Sequence, residues 1–442
     1  MKEGPRILIE AVYPELDDGR YPIKREVGEV LEVWADILKD GHDALAAVVK
    51  YRAKRESDWR EAPMRLFDND RWTGAFPLIE NTRYVYTIEA WTDTFRSWVR
   101  DLEKRVGAGQ PVEAELQEGA ALVRRTAQRA TGADRLALEE AATRLGGRTP
   151  SVDRIRIARE ARLAWLMSSW ADREDASRYD RELEVVVDRE RARFAAWYEM
   201  FPRSQGSVAG RSGTFDDCIR RLRDIRAMGF DVVYLPPIHP IGHTGRKGRN
   251  NALVAAPADP GSPWAIGSEH GGHTAVEPSL GALADFRRFV AAARALGIEV
   301  ALDYAIQCSP DHPWVREHPE WFHRRPDGSI KYAENPPKKY EDIYPINFQT
   351  ADWEALWREL RGVLEFWIAQ GVRTFRVDNP HTKPLVFWRW LVHEIQAEHP
   401  GVIFLSEAFT RPKLMRALAK VGFTQSYTYF TWRTTKRELT EY

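Results

Sequence analysis

Short runs of apolar or alternating residues, separated by turn-forming stretches, fill the first hundred positions of the chain. The runs RILIEAVYP, EVLEVWADIL, ALAAVVKYR and RYVYTIEAW are rich in β-branched and aromatic residues, which favour strands. The stretches LDDGRYP and LFDNDRW between them carry the residues that favour turns. Strands at this spacing are typical of a β-sandwich, which we predict for residues 1–100.

The periodicity becomes helical over residues 101–183. VEAELQEGAALVRRTAQRA and DRLALEEAATRL place apolar residues at helical spacing among Ala, Leu, Glu and Arg. The run RELEVVVDR, residues 181–189, is strand-like again, so we expect it to complete the sandwich. Residues 101–183 are therefore predicted to be a helical insert whose charged residues form a solvated face.

From residue 193 onward, strand-like and helical patterns alternate. The predicted strands are WYEMFPRS, DVVYLPPIHP, IEVALDYAIQC, VRTFRVD, VIFLSEAF and QSYTYFTW, with helices between them such as TFDDCIRRLRDIRAMG. Repeated β-α units predict a parallel sheet, and polar residues at the strand ends favour a (β/α) barrel. A doubly wound sheet is the rival, but no GxGxxG follows a strand.

The alternating region has about six of the eight strands that such a barrel needs. The predicted fold is therefore multidomain, β and α/β, with an incomplete (β/α)8 barrel over residues 193–442. We expect the chain to be a fragment of a longer protein.

Composition narrows the possible partners and the compartment. The formal net charge is zero, with 43% hydrophobic and 29% charged residues, which is typical of a soluble globular protein without a polyanion-binding surface. Two cysteines cannot form a disulfide framework, and neither a secretory signal nor a membrane-spanning run is present. We therefore expect a cytoplasmic protein without nucleic-acid or membrane partners.

Candidate chemistry lies at the ends of two predicted strands. In VRTFRVD, Arg376 and Asp378 share a face, and a guanidinium keeps a neighbouring carboxylate ionised. Glu407 ends the next strand, VIFLSEAF, so the two carboxyl groups can approach the ~5–5.5 Å separation of a retaining glycosidase pair. One carboxylate would attack the anomeric carbon and the other would protonate the leaving oxygen. The alternative for each residue is a structural ion pair.

Polar residues elsewhere on the same predicted barrel face are consistent with a ligand site. In ALDYAIQCS, we expect Asp303 and Gln307 to share a strand face, with Asp303 bracing Arg376 and Gln307 at the tip. The basic loop at 239–251 could hold an anionic or polyhydroxyl ligand, and the excursion at 309–348 is predicted to build a binding site. Three histidines of that excursion lack partners at metal-ligand spacing, so no metal site is predicted: His312, His318 and His323.

Several long motifs resemble a known family. Asp303, FRVD and SEAF resemble the conserved regions of the α-amylase superfamily, which are retaining α-glucan enzymes with a (β/α)8 barrel. More narrowly, EAVYPELDDGRYPIKREVGE, WYEMFPRS, LPPIHPIGHTGRKGRNNAL, FRVDNPHTKP and SEAFTRPK are similar to the bacterial α-1,4-glucan:maltose-1-phosphate maltosyltransferases. Gln307-Cys308 and the Asn-Pro-His-Thr-Lys that follows Asp378 depart from ordinary amylases in the direction of these transferases.

The resemblance implies an activity and roles for named residues. Maltosyl units would pass from α-maltose 1-phosphate to the non-reducing end of α-1,4-glucans with retention, in glycogen or α-glucan synthesis. Asp378 would be the nucleophile and Glu407 the acid/base, with Arg376 also at the substrate site. The positions that match the family's donor-binding residues are Lys247, Gln307, Asp342 and Asn379. The resemblance also implies a homodimer without metal or organic cofactor.

The residues alone leave two questions open: whether this chain is active by itself, and which of several related functions it has. The superfamily's third carboxylate should lie beyond Tyr442, so we expect this chain to be inactive by itself. The rival functions are a hydrolase or branching enzyme of the same superfamily, or a non-catalytic glucan-binding relative.

Overall fold

The structure of the protein is a computed structural model that describes residues 6–442. Residues 1–5 of the predicted sandwich lie outside the described residues. The chain divides into two compact units, Met1–Val187 and Asp188–Tyr442. No helix in the described part is both long and apolar enough to span a membrane.

A sheet of nine strands forms the framework of the first unit, in the order β1-β3-β6-β5-β4-β7-β9-β2, with β8 paired to β7. These strands are β1 (Ile7–Tyr13), β2 (Ile23–Glu26), β3 (Val30–Lys39), β4 (Leu45–Ala53), β5 (Arg60–Asp68), β6 (Arg71–Pro77), β7 (Arg83–Thr92), β8 (Ser177–Arg178) and β9 (Leu183–Asp188). The run at 181–189 thus pairs with β7, antiparallel, although more than eighty residues separate them.

The alternation of buried and more exposed side chains along a strand explains how the sheet buries one face. In β3, Leu31, Val33, Ala35 and Ile37 are buried while the residues between them are more exposed. Strand β5 pairs with β4 through its first half and with β6 through its second half. Strand β5 therefore connects the part of the sheet that contains β4 to the part that contains β6, and residues of both parts belong to one hydrophobic core.

Five helices separate β7 from β8 in the chain and have a hydrophobic core of their own. They are α1 (Thr94–Gly107), α2 (Glu113–Arg129), α3 (Gly132–Leu145), α4 (Ser151–Ala158) and α5 (Ala161–Ser169). The first helix begins at Thr94, before the expected start at residue 101, because Asp93 caps it by accepting from Arg96 N–H.

Six strands form the main sheet of the second unit, in the order β10-β11-β12-β17-β18-β19, and each neighbouring pair is parallel. All strands of this unit, including short ones outside the sheet, are β10 (Trp197–Glu199), β11 (Val232–Leu235), β12 (Glu299–Tyr304), β13 (Gln307–Cys308), β14 (Ala333–Asn335), β15 (Lys338–Tyr340), β16 (Tyr344–Pro345), β17 (Thr374–Val377), β18 (Ile403–Ser406) and β19 (Gln425–Ser426).

Helices alternate with these strands and pack on them in one large apolar core. They are α6 (Phe215–Ala227), α7 (Leu283–Ala295), α8 (Pro313–Glu317), α9 (Trp353–Ala369), α10 (Leu385–Glu398), α11 (Pro412–Lys420) and α12 (Lys436–Glu441). Helix α6 begins with the predicted cap: Thr214 Oγ1 accepts from Asp217 N–H, and the Asp217 carboxylate accepts from Thr214 N–H at 2.8 Å.

One local prediction for this unit is wrong, and some predicted strands are shorter than expected. Asp303 and Gln307 do not share a strand face, because β12 ends at Tyr304 and Gln307 pairs instead with Pro345 in a separate two-stranded ladder. In QSYTYFTW only the first two residues are a strand, and Tyr429–Trp432 form a 3-10 turn. Thr428 Oγ1 accepts from Phe430 N–H and so starts that turn, in preference to an extended backbone.

Candidate active site

The register of neighbouring parallel strands brings the predicted catalytic pair together. Val377 on β17 lies opposite Ser406 on β18. Beyond these positions the pairing continues, because Glu407 N–H donates to Val377 O at 3.1 Å and Asp378 N–H donates to Tyr304 O at 3.2 Å. Asp378 and Glu407 are therefore the next residues at the carboxyl ends of adjacent strands, where barrel enzymes place their sites.

One buried guanidinium holds three carboxyl groups at this edge. Arg376 Nη1 donates to Asp303 Oδ2 at 2.7 Å and to Asp378 Oδ1 at 2.8 Å, and its Nη2 lies 2.7 Å from Glu407 Oε1. Tyr234 O–H donates to Asp303 Oδ2 at 2.5 Å. Burial opposes the charge on Arg376, but the carboxylates raise its pKa, so it stays a cation.

Burial raises the pKa of two of these carboxyl groups. Burial raises the pKa of Glu407, Arg376 opposes that shift, and the charge and hydrogen bond of Asp378 add to it. Burial also raises the pKa of Asp303 to about 7. A protonated Glu407 beside Asp378 is the arrangement that a general acid and a nucleophile require.

A cavity of about 1010 Å³ opens beside Asp378. Its size is at the upper end of the range for small-molecule sites, about 300–1000 Å³. Three segments line it: the loop after β11, the excursion that follows β12, and the turn after β17. The lining residues are Lys247, Asn251, Ser262, Trp264, Ile306, Gln307, Lys331–Pro336, Tyr340, Asp342, Ile343, Pro345, Ile346, Phe348, Asp378, Asn379, His381, Thr382 and Lys383.

All four positions proposed for donor binding line this cavity: Lys247, Gln307, Asp342 and Asn379. The buried ammonium of Lys247 forms an ion pair with Glu341. Arg376 is not among the lining residues and lies beneath Asp378 instead. The structure thus brings the donor-binding candidates together around the cavity and places Arg376 behind the carboxylates.

Asp342 is a buried carboxyl group whose oxygens accept no hydrogen bond from another side chain or loop in the described part of the chain. Burial raises its pKa. An unsatisfied buried oxygen at a cavity wall is costly, and a hydroxyl of a bound ligand would relieve that cost.

Sequence reasoning missed two side chains that contact this cluster. Tyr234 lies in the predicted strand DVVYLPPIHP and had no role assigned to it, yet its hydroxyl donates to Asp303. Lys383 Nζ donates to Asp378 O at 3.1 Å and to Asn379 O at 3.2 Å. The available signal for Lys383 was a lysine enclosed in the Pro-bounded turn that directly follows a strand-end aspartate.

Buried histidines behind the site form a chain of hydrogen bonds. Trp314 N–H donates to His312 Nδ1 at 3.1 Å, so the proton of His312 lies on Nε2. His312 Nε2 is 3.0 Å from His273 Nδ1, and His273 Nε2 is 2.9 Å from Ala305 O. Burial lowers the pKa of His312 to about 3 and that of His273 well below its usual value. Both rings are therefore neutral.

Cys308 completes a group with His273 and His312 whose donor atoms lie within 4.8 Å of one another. Such a set is typical of transition-metal ligands. The hydrogen bonds already use the imidazole nitrogens, and burial raises the pKa of the Cys308 thiol well above its usual value. The side chains thus fit a neutral structural chain better than a metal.

Comparison with known proteins gives consistent matches. The family model described as "Alpha-1,4-glucan:maltose-1-phosphate maltosyltransferase, domain N/S" matches residues 5–189. Relatives with the name α-1,4-glucan:maltose-1-phosphate maltosyltransferase include those of Myxococcus xanthus, 57% identical over 99% of this chain and 67% of the relative, and Chlorobaculum tepidum, 51% identical over 99% and 65%. That of Pseudomonas aeruginosa is 52% identical over 100% of this chain and 66% of the relative.

The chain spans about two thirds of the length of these relatives. Among solved structures, an α-amylase from Lactobacillus plantarum matches 57% of this chain and 58% of its own, with 26% identity and a TM-score of 0.44.

Proposed function

Because this chain belongs to the family of α-1,4-glucan:maltose-1-phosphate maltosyltransferases, we propose that it carries the donor site of an enzyme that transfers maltosyl units from α-maltose 1-phosphate to α-1,4-glucans. The observation that supports the proposal most is the shared guanidinium. Arg376 holds Asp378 and Glu407 side by side at adjacent strand ends, and Asp378 lines a sugar-sized cavity.

The proposed reaction has two displacement steps. In the first, a carboxylate oxygen of Asp378 bonds to C1 of the maltosyl group, the bond from C1 to the phosphate oxygen breaks, and Glu407 gives its proton to that oxygen. In the second, the 4-hydroxyl at the non-reducing end of the glucan bonds to C1, Glu407 takes its proton, and the ester to Asp378 breaks. Two inversions retain the α configuration.

The cavity supplies groups that suit an anionic, hydroxyl-rich donor. Lys247 offers a cation at the wall, Asp342 offers two acceptor oxygens, and Gln307 and Asn379 offer amides. Burial keeps the pKa of Glu407 raised, so it can hold the proton that the leaving phosphate needs.

The wider setting is part of the same proposal. The parallel sheet of the second unit would be part of a (β/α)8 barrel, and the first unit would be a sandwich with a helical insert. We further propose a cytoplasmic homodimer that acts in glycogen or α-glucan synthesis without metal or organic cofactor. The length of the curated relatives supports testing the complete gene product.

Phosphate release coupled to glucan growth tests the proposal. The complete gene product is incubated with α-maltose 1-phosphate and a maltooligosaccharide, and phosphate and chain length are measured together. We expect one phosphate for each two-glucose extension. Free maltose without chain growth would indicate a hydrolase, and no turnover with intact binding would indicate a non-catalytic glucan-binding relative.

The pair Asp378→Asn and Glu407→Gln tests the assigned roles in the same assay. Each variant removes one carboxylate while it retains the shape of the side chain, so we expect phosphate release to fall by at least about 1000-fold. The exposed Glu398→Gln serves as the matched control and should behave like the unaltered protein. Full activity of Asp378→Asn would exclude the mechanism.

A further inference from the structure

The ammonium group of Lys383 contacts the turn that follows β17. Lys383 Nζ donates to the backbone oxygens of both Asp378 and Asn379, at 3.1 and 3.2 Å. Between them, Asn379 adopts a left-handed conformation with φ of 43° and ψ of 54°. A non-glycine residue adopts this conformation at a cost, so neighbouring contacts must stabilise it.

This turn also links the two predicted catalytic groups. Asn379 N–H points at Glu407 Oε2, at 3.4 Å. The carbonyl oxygens of Asp378 and Asn379 thus accept from Lys383, while the Asn379 N–H faces Glu407 and Asp378 lines the cavity. Thr382 adds a second bond, from its hydroxyl to Asn379 O at 2.8 Å.

Two cations lie close to the carboxyl groups around the turn. Asp303, Asp378 and Glu407 supply three carboxyl groups, and Arg376 supplies one positive charge to all of them. The ammonium of Lys383 is a second positive charge beside these groups. Burial lowers the pKa of Lys383, while the three carboxylates oppose that shift.

Two further titratable groups lie close to the carboxyl groups or to Lys383. His381 lies in the same turn, and burial lowers its pKa, with Lys383 adding to that effect. Tyr427, beyond β19, has a raised pKa because of burial. Neither group supplies a positive charge near neutral pH, so Lys383 and Arg376 are the cations of this cluster in the described part of the chain.

From these contacts we propose that Lys383 is a positioning residue for the reaction: it holds the Asp378–Asn379 turn in its left-handed form and adds a second positive charge beside the carboxyl groups that Arg376 contacts. The inference rests on the proposed role of Asp378 as nucleophile. Lys383 would act through the backbone of its neighbours and through its charge, and not through a bond to the substrate.

Two variants of Lys383 separate geometry from charge. Lys383→Gln keeps an N–H donor for the carbonyl oxygens but removes the charge, and Lys383→Met removes both. The exposed Lys413→Met on α11 is the matched control. Each is made in the complete gene product, and phosphate release from α-maltose 1-phosphate is followed across pH.

Lys383→Met should lower kcat by about 100-fold because the nucleophile loses its alignment. KM should change less than about threefold, which distinguishes alignment from donor binding. In both variants the acidic limb of the pH profile of kcat/KM should shift to higher pH by roughly one unit, because the carboxyl groups have lost a nearby positive charge. Lys413→Met should show neither effect.

A crystal structure of Lys383→Met gives a readout that does not depend on turnover. We expect φ of Asn379 to leave the left-handed region, whereas in Lys383→Gln it should remain there. If the unaltered protein releases no phosphate, the proposed function fails. The role of Lys383 in the turn is then decided by the φ angle of Asn379 in the two variant structures alone.

Three results would overturn the inference. One is a Lys383→Met variant with an unchanged acidic limb and unchanged kcat. Another is a rise in KM alone, which would make Lys383 a substrate ligand. The third is a left-handed Asn379 in the Lys383→Met crystal structure.

Discussion

Three neutral imidazoles buried behind the active-site edge should make the second unit sensitive to acid. His239 donates from Nδ1 to Ala275 O at 3.0 Å, and its ring lies beside those of His273 and Trp367. Burial lowers the pKa of His239 to about 4. In the unfolded chain the pKa of a histidine is about 6.5, so the unfolded state takes up the proton first as the pH falls. Stability is therefore lost as pH falls below 6.5 toward 4.

The magnitude follows from the two pKa values. Between pH 7.5 and pH 5, a histidine with these values lowers the free energy of unfolding by about 2 kcal/mol. Asp303 acts in the opposite direction: since its pKa is raised to about 7, it binds a proton in the folded state first and gains stability as pH falls. A comparison of two proteins that differ only at His239 cancels that opposing contribution.

The proposed perturbation is His239→Asn, which retains an N–H donor toward Ala275 O but cannot be protonated. Amide hydrogen exchange measured by mass spectrometry at pH 7.5, 6 and 5 gives the opening free energy of β11 and β12. Between pH 7.5 and 5, the unaltered protein should lose about 2 kcal/mol more than the variant. Any pH-independent cost of the smaller side chain does not affect this difference.

His270→Asn is the matched control, because His270 is exposed in the same unit and should leave the pH dependence unchanged. The sheet of the first unit gives an internal reference, since its only histidine, His42, is exposed. If the unaltered protein and His239→Asn had the same pH dependence within about 0.5 kcal/mol, His239 would not be a neutral buried group and the reasoning would fail.

Two further substitutions test packing and the cavity. Gly267→Ala should destabilise the protein by more than about 2 kcal/mol in urea unfolding, because a Cβ would lie 2.4 Å from His312 Cδ2 and φ is +109°. Gly210→Ala has φ of +77° but open space around it, so it should cost only about 1 kcal/mol, and an equal cost at both sites would contradict the packing argument. Asp342→Asn should lower kcat/KM for the donor by roughly 10- to 100-fold, because an amide N–H donor replaces one of the two acceptor oxygens. The neighbouring Glu341→Gln should have a smaller effect, and the reverse order would contradict the role of Asp342.

Strand parity and chain order were enough to locate the carboxylate pair. A strand ending in Arg-x-Asp, followed by a β-α unit ending in Glu, puts Asp378 and Glu407 at neighbouring tips whenever the strands are parallel and adjacent. The strand register, which cannot be read from the sequence, then determines how Arg376 contacts both carboxyl groups.

The parts that sequence did not reveal depend on contacts between distant segments. Gln307 was assigned to the face of Asp303 because the alternation in ALDYAIQ continues, but the backbone leaves the strand at Tyr304 and pairs with Tyr344–Pro345. No local sequence pattern indicates that Gln307 pairs with a segment almost forty residues away. In the same way, QSYTYFTW has strong strand propensity, and the side chain of Thr428 overrides it.

The start of helix α6 was more predictable than that of α1 or than the loop conformations. The capping pattern of Thr214 and Asp217 is local, so it could be recognised directly. The left-handed Asn379 and Lys383 belong to one short turn, but the contacts of that turn involve distant segments, since Asp378 N–H donates to Tyr304 O and Asn379 N–H faces Glu407.

The central claim is that Asp378 forms a covalent bond to the sugar, and trapping that species tests it most directly. In Glu407→Ala of the complete gene product, α-maltosyl fluoride can still react because fluoride leaves without an acid, while the second step lacks its base. Peptide mass spectrometry should then find one maltosyl group on the peptide that contains Asp378. A maltosyl group on another residue, or the same adduct in the Asp378→Asn, Glu407→Ala double variant, would contradict the account.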